Sequence, residues 1–109
     1  MSEFLNYYPV RICEYNVEND RVTVFYKEEK PNFLLRKFFK KLAEKPYKID
    51  LDEVGSFIWL LCDGQKNIRE IITISQDHFG EKIEPADDRV QKFIKHLHVG
   101  RFIRLYSKK

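Results

Sequence analysis

Cysteine is nearly missing from this sequence: Cys13 and Cys62 are the only two in 109 residues, and they do not form a C-x-x-C pair. Cys62 falls on an apolar stretch and reads as a small core residue rather than a reactive thiol. Spacing alone does not settle a bridge between the two, and a cytoplasmic setting argues against one. The four glycines are scattered at Gly55, Gly64, Gly80 and Gly100, so no glycine-rich phosphate cradle can be assembled. Histidine is limited to His78, His96 and His98. The last two, two residues apart on a helix, project roughly 200° apart and cannot chelate one metal together. No apolar run reaches the roughly 18 residues needed to cross a bilayer. The start, Met1-Ser2-Glu3-Phe4, lacks the basic-then-apolar order of a secretory signal, so a cytoplasmic protein is expected. A nucleophile with its base, a metal cluster and a matched acid–base pair are all missing. Asp87-Asp88 and Asp50/Asp52 sit where helix caps and first turns want acids. The sequence therefore argues against an enzyme, and implies no cofactor and no metal.

The length and the 43% apolar content suit one domain with its own core. The net charge of +3 conceals an asymmetry. Residues 30–48 carry Lys30, Arg36, Lys37, Lys40, Lys41, Lys45 and Lys48 against Glu44 alone, while residues 1–29 are net acidic and residues 49–109 balance. One local contact surface fits this better than a general nucleic-acid coat.

Residues 10–17 alternate loosely and residues 22–26 alternate clearly, with Glu18-Asn19-Asp20 between them. Asn and Asp tolerate left-handed backbone, so a β-hairpin over 8–27 is expected. In residues 31–46, Leu35, Phe38, Phe39 and Leu42 follow helical spacing with Arg and Lys between, bounded by Pro31 and Pro46. That is an inserted basic amphipathic helix. It either covers one end of the core with its lysines solvated, or meets an anionic membrane or a partner protein. A short third strand is expected at Tyr47-Lys48-Ile49. A first core helix follows, capped by Asp50 with Glu53 three residues on, apolar nearly all round, centrally buried and stopped by Gly64. Trp59 is expected in the core. A second helix repeats the device with Asn67 and Glu70, carries the stripe Ile68, Ile71, Ile72, Ser75 and Phe79, and ends at Gly80. A third opens at Pro85, has the stripe Val90, Phe93, Ile94 and Leu97, and stops at Gly100. Phe102 to Tyr106 reads as a terminal extended segment.

A small sheet on three helices leaves edge strands, and an edge beside a helix is a groove for an extended peptide. The rival use of the same parts is a winged-helix DNA-binding domain. Its recognition helix, residues 85–99, sets Asp87 and Asp88 against Arg89, Lys92 and Lys95, a thin positive face. Nucleic acid is therefore not favoured. Contact with acidic membranes through 31–46 is a third reading.

The run from Ile49 to Gly64, with Glu53, Gly55, Ile58-Trp59, Leu61 and Asp63-Gly64, followed by Asn67-Ile68-Arg69-Glu70-Ile71, closely resembles the PqqD-like signature. Val90 to Leu97 and Gly100-Arg101-Phe102-Ile103 look like that family's final helix and ending. The resemblance spans about residues 48–105. It implies an α+β fold, winged helix-turn-helix-like, with a three-stranded antiparallel sheet and three core helices. It also implies a peptide chaperone, or RiPP recognition element, that holds the leader of a ribosomally made precursor peptide for a modifying enzyme of the radical-SAM type. The leader would lie as an added strand along Tyr47, Lys48, Ile49 and Asp50, facing Arg89, Lys92, Phe93 and His96 of the last helix. Lys48, Arg89 and Lys92 would suit an acidic leader. The helix at 31–46 departs from the family pattern, which has a short loop there. The expected organisation is one domain, 1–109: hairpin 8–27, inserted helix 31–46, and a strand with helical core over 47–105.

Overall fold

A computed structural model describes residues 3–26 and 48–107. The expected helix at 31–46 and Tyr47 lie outside them. The described chain runs through a 3-10 turn (Phe4–Asn6), β1 (Tyr8–Arg11), β2 (Tyr15–Glu18), β3 (Arg21–Phe25), β4 (Lys48–Asp50), α1 (Glu53–Leu61), α2 (Ile68–Phe79), a second 3-10 turn (Gly80–Ile83), α3 (Ala86–Val99) and β5 (Ile103–Tyr106). Over the described residues the fold is α+β, with three helices and small antiparallel sheets.

The hairpin forms where its turn chemistry placed it. Asn19 and Asp20 both take positive φ, 54° and 64°, and Glu18 pairs with Arg21 across them. Two consecutive left-handed residues match the right-handed twist of the flanking strands. The upstream strand is not one piece, however. Residues 10–17 divide into β1 and β2, because β1 leaves the hairpin to pair with β5, Tyr8 opposite Tyr106 and Arg11 opposite Ile103. The result is two sheets, β1-β5 and β2-β3-β4, rather than one.

Alternation along β3 sets the inside of the larger sheet. Val22 and Val24 are buried, whereas Arg21 and Phe25 are exposed. On the same inner side lie Ile49 of β4 and Leu51, both buried. The helices cover this side with Ile58, Trp59, Ile68, Ile71, Val90, Ile94 and Leu97, all almost fully buried. Trp59 and Cys62 are core residues, with no accessible surface, as their positions in the apolar run implied. Only the inner face of the sheet is dry, as is usual for an antiparallel sheet.

Two of the three helix starts behave as their sequences require. Asn67 Oδ1 accepts from the Glu70 backbone N–H and Glu70 Oε1 accepts from the Asn67 N–H, both at 2.8 Å, a complete capping box on α2. Pro85 precedes α3 in extended backbone, with Asp87 and Asp88 in the first turn. The start of α1 differs. Its cap is Asp52, whose Oδ1 accepts from Gly55 N–H at 2.7 Å, and Asp50 instead ends β4. Leu51 N–H bonds to Val22 O, so the strand ladder runs past Asp50 and the helix cannot begin there. Without Glu at the third position, α1 has no capping box. At its other end α1 stops at Leu61 with Cys62 as C-cap. Gly64 does adopt φ +83°, but it serves a later turn that ties to β1 through Gly64 N–H to Pro9 O. Nor is α1 buried all round: Leu60 is 39% exposed, because packing against β3 and α2 leaves one side open. Gly100 ends α3 with ordinary negative φ, and the left-handed residue is Arg101 at φ 67°.

Candidate functional site

The site is built on β4, a strand of three residues at the end of its sheet. Leu51 N–H donates to Val22 O, and Ile49 stands opposite Val24. Backbone groups of an antiparallel strand alternate in direction. Ile49 and the N–H of Leu51 therefore face β3, while the Leu51 C=O accepts from Ser56 Oγ and the backbone groups of Lys48 and Asp50 face the outer edge. Among the described residues no strand lies along that edge.

Side chains alternate in the perpendicular sense. Ile49 points inward, where it joins Val24, Leu51, Leu97 and Phe102 in one apolar seam between the strand and the end of α3. Lys48 and Asp50 lie on the outer face, half-buried and exposed respectively. Thr23 Oγ1 donates to Asp50 Oδ1 at 2.7 Å, which holds that carboxylate to the sheet.

The helix side comes from α3. Phe93 is half-buried at the border between the core stripe and the exposed flank. Its ring covers the first turn of α1: a Cβ on Gly55 would stand 3.1 Å from Phe93 Cζ and the same distance from Asp52 Oδ1. Glycine at position 55 lets the ring approach the junction between β4 and α1. A glycine inside a helical apolar run is the sequence signal for such close approach. His96 follows on the same flank. Burial, reinforced by the nearby Lys92 charge, holds its imidazole below the usual value, which favours the neutral form.

The remaining residues named from the sequence are placed differently. Arg89 Nη1 donates to Lys82 O at 2.7 Å, so its guanidinium is drawn back to the second 3-10 turn rather than toward β4. Lys92 Nζ pairs with Asp88 Oδ2 at 3.4 Å in the open, a pair of small energetic weight. Lys48 stands on the far face of the sheet from α3. The three cations therefore do not converge on one point. Phe93 meets the α1 N-terminus at Gly55, His96 lies one turn further along α3, and Ile49 packs inward with Leu97 and Phe102. Sequence reasoning missed two supports of this arrangement. Ser56 Oγ accepts from Val22 N–H at 2.8 Å inside the core, locking α1 to β3. Arg11 Nη1 donates to Trp59 O and Leu60 O, at 3.0 and 2.9 Å, closing the C-terminal end of α1.

Among the described residues no three His, Cys, Asp or Glu side chains are grouped to hold a metal, and no helix is long and apolar enough to cross a membrane. No curated protein and no solved structure matches the chain. The family model of coenzyme PQQ synthesis protein D matches residues 38–103, a span that takes in β4, all three helices and the start of β5. With more than half of its length inside that match, the chain belongs to the PqqD family.

Proposed function

We propose that this chain is a non-enzymatic peptide-binding module that captures the leader of a ribosomally made precursor peptide by strand addition to β4. The observation that carries the reading is the outer edge of β4, where the N–H and C=O groups of Lys48 and Asp50 point away from β3 beside the flank of α3. An added strand alternates its own side chains. One set would lie against Phe93 and His96 on the α3 flank, with Ile49 supporting the strand from the core side, and the other would pass the outer face beside Lys48. Arg89 and Lys92 lie on α3, and Tyr47, outside the described residues, belongs to the same proposed site. Lys48 on the outer face favours an acidic leader, with Arg89 and Lys92 available only by leaving Lys82 O and Asp88. The winged-helix arrangement of hairpin and helices belongs to the same proposal, as do presentation to a modifying enzyme of the radical-SAM type and a cytoplasmic setting.

The test uses synthetic peptides spanning the short open reading frames beside the gene for this chain. Lys48 and Asp50 amides should shift and become protected on binding, with Ile49 protected throughout. Lys48→Pro removes an outward donor without breaking the β3 ladder, so it should abolish binding in a folded protein. Binding unaffected by that proline contradicts strand addition.

A further inference from the structure

The three-stranded sheet has a second edge, and its chemistry is opposite to that of β4. Phe25 N–H donates to Glu14 O, and the register sets Tyr15 opposite Val24 and Val17 opposite Val22. By the same alternation, Asn16 and Glu18 give their backbone groups to β3, while the N–H and C=O of Tyr15 and Val17 face outward. No described strand lies along this edge. All four residues of β2 are exposed.

The two faces of the edge differ. On the inner side, Tyr15 and Val17 share the face of Val22 and Val24 but overhang the core, 37% and 45% exposed. Tyr15 rests edge-on against buried Trp59 at 5.8 Å, with the Arg11 guanidinium 5.1 Å from its ring centroid. On the outer side stand Glu14, Asn16 and Glu18. Residues 14–20 hold three carboxylates, Glu14, Glu18 and Asp20, and no Lys or Arg. Among the described residues neither Glu14 nor Glu18 forms an ion pair.

We infer that the β2 edge is a docking site for an extended segment of a partner protein whose residues alternate basic and apolar. Paired antiparallel to β2, that segment sets its cations opposite Glu14 and Glu18 and its apolar residues against Tyr15 and Val17. Charge complementarity selects this occupant over a second copy, because two copies paired edge to edge would line four glutamates along one face. The inference stands apart from peptide capture at β4. One sheet would then carry an acidic edge and a lysine-bearing edge on opposite sides, each free to hold a different strand.

The probe is a short synthetic peptide alternating valine with lysine and arginine, compared with one carrying glutamate and aspartate instead. With the basic peptide, the Tyr15 and Val17 amides should shift and gain protection from hydrogen exchange, while Asn16 and Glu18 stay as they were. Val17→Pro removes an outward N–H and spares the bonds to β3, so the fold should persist and binding should be lost. Glu14→Lys with Glu18→Lys should weaken the basic peptide roughly tenfold and improve the acidic one by a similar factor. Equal binding of both peptides, shifts confined to Lys48 and Asp50, or binding retained in Val17→Pro would overturn the inference. So would Tyr15 and Val17 amides already protected in the chain alone, which would mark the edge as occupied by this chain or a second copy of it. A peptide that fails at β2 leaves the β4 reading untouched, since each edge reports through its own amides.

Discussion

Phe93 of α3 lies so close to Gly55 of α1 that a single added methyl group would stand 3.1 Å from its ring. This contact sets the distance between the last helix and the junction where β4 becomes α1, and hence the width of the proposed groove. Replacing Gly55 with alanine tests it. Alanine gains about 0.5–1 kcal/mol of helix stability, and crowding the half-buried ring and the Asp52 cap costs about 1–3 kcal/mol. Gly55→Ala should therefore lower the urea midpoint modestly while weakening peptide binding severalfold. Adding Phe93→Ala should relieve the crowding and leave binding weak. A Gly55→Ala protein with full affinity would show that the ring does not border the bound peptide.

Ser56 should matter for stability more than its size suggests. Its hydroxyl takes the Val22 N–H and donates to Leu51 O at 3.3 Å, all in a fully buried place. Ser56→Ala leaves a buried backbone donor unsatisfied, a loss of about 1–3 kcal/mol. Chemical denaturation should register it as a lower midpoint with unchanged slope.

Arg11 closes the end of α1 with hydrogen bonds to Leu60 O and to Trp59 O, the latter also accepting from the Cys62 N–H. Arg11→Ala should cost about 1.5–3 kcal/mol, whereas Arg11→Lys keeps the charge and recovers part of it. Equal stability of all three proteins would show that water replaces the guanidinium without loss.

Cys62 supplies a pH dependence. Burial pushes its thiol up to about 12 from the ordinary 9.0, with Arg11 opposing the rise and Asp63 adding to it. A thiol raised in the folded state keeps its proton more firmly there than in the unfolded chain. Its stabilising effect is therefore complete below about pH 9 and is lost as the pH rises toward 12. The slope should approach about 1.4 kcal/mol per pH unit on the alkaline side. Denaturation midpoints at pH 8 and above should fall more steeply in the native chain than in Cys62→Ala. Thiol reagents should reach Cys62 only on unfolding.

What the sequence disclosed follows the range of each interaction. The capping box of Asn67 and Glu70 and the turn at Asn19-Asp20 each involve residues within three or four positions, so their residue types announce them. Of the stripe Ile68, Ile71, Ile72, Ser75 and Phe79, all are buried except Ile72, which is half-buried at its border. Asp50 and Asp52 are equally good caps in isolation. What separates them is Leu51 N–H bonding to Val22 O, a contact across 29 positions. The pairing of β1 with β5 joins the two ends of the described chain, and nothing local encodes it. At the site, the short strand directly before the first helix was legible from its position. The withdrawal of Arg89 to Lys82 O was not, because it depends on where a 3-10 turn places one carbonyl.

The central claim is that the outward backbone groups of β4 hold the peptide, and hydrogen exchange at Lys48 and Asp50 tests it most directly. In the presence of a bound leader peptide, both amides should become protected while Ile49, already bonded to β3, keeps the protection it had. Lys48→Pro should remove the effect at Asp50 together with binding. Saturating peptide that leaves the exchange of Lys48 and Asp50 unchanged would contradict the account.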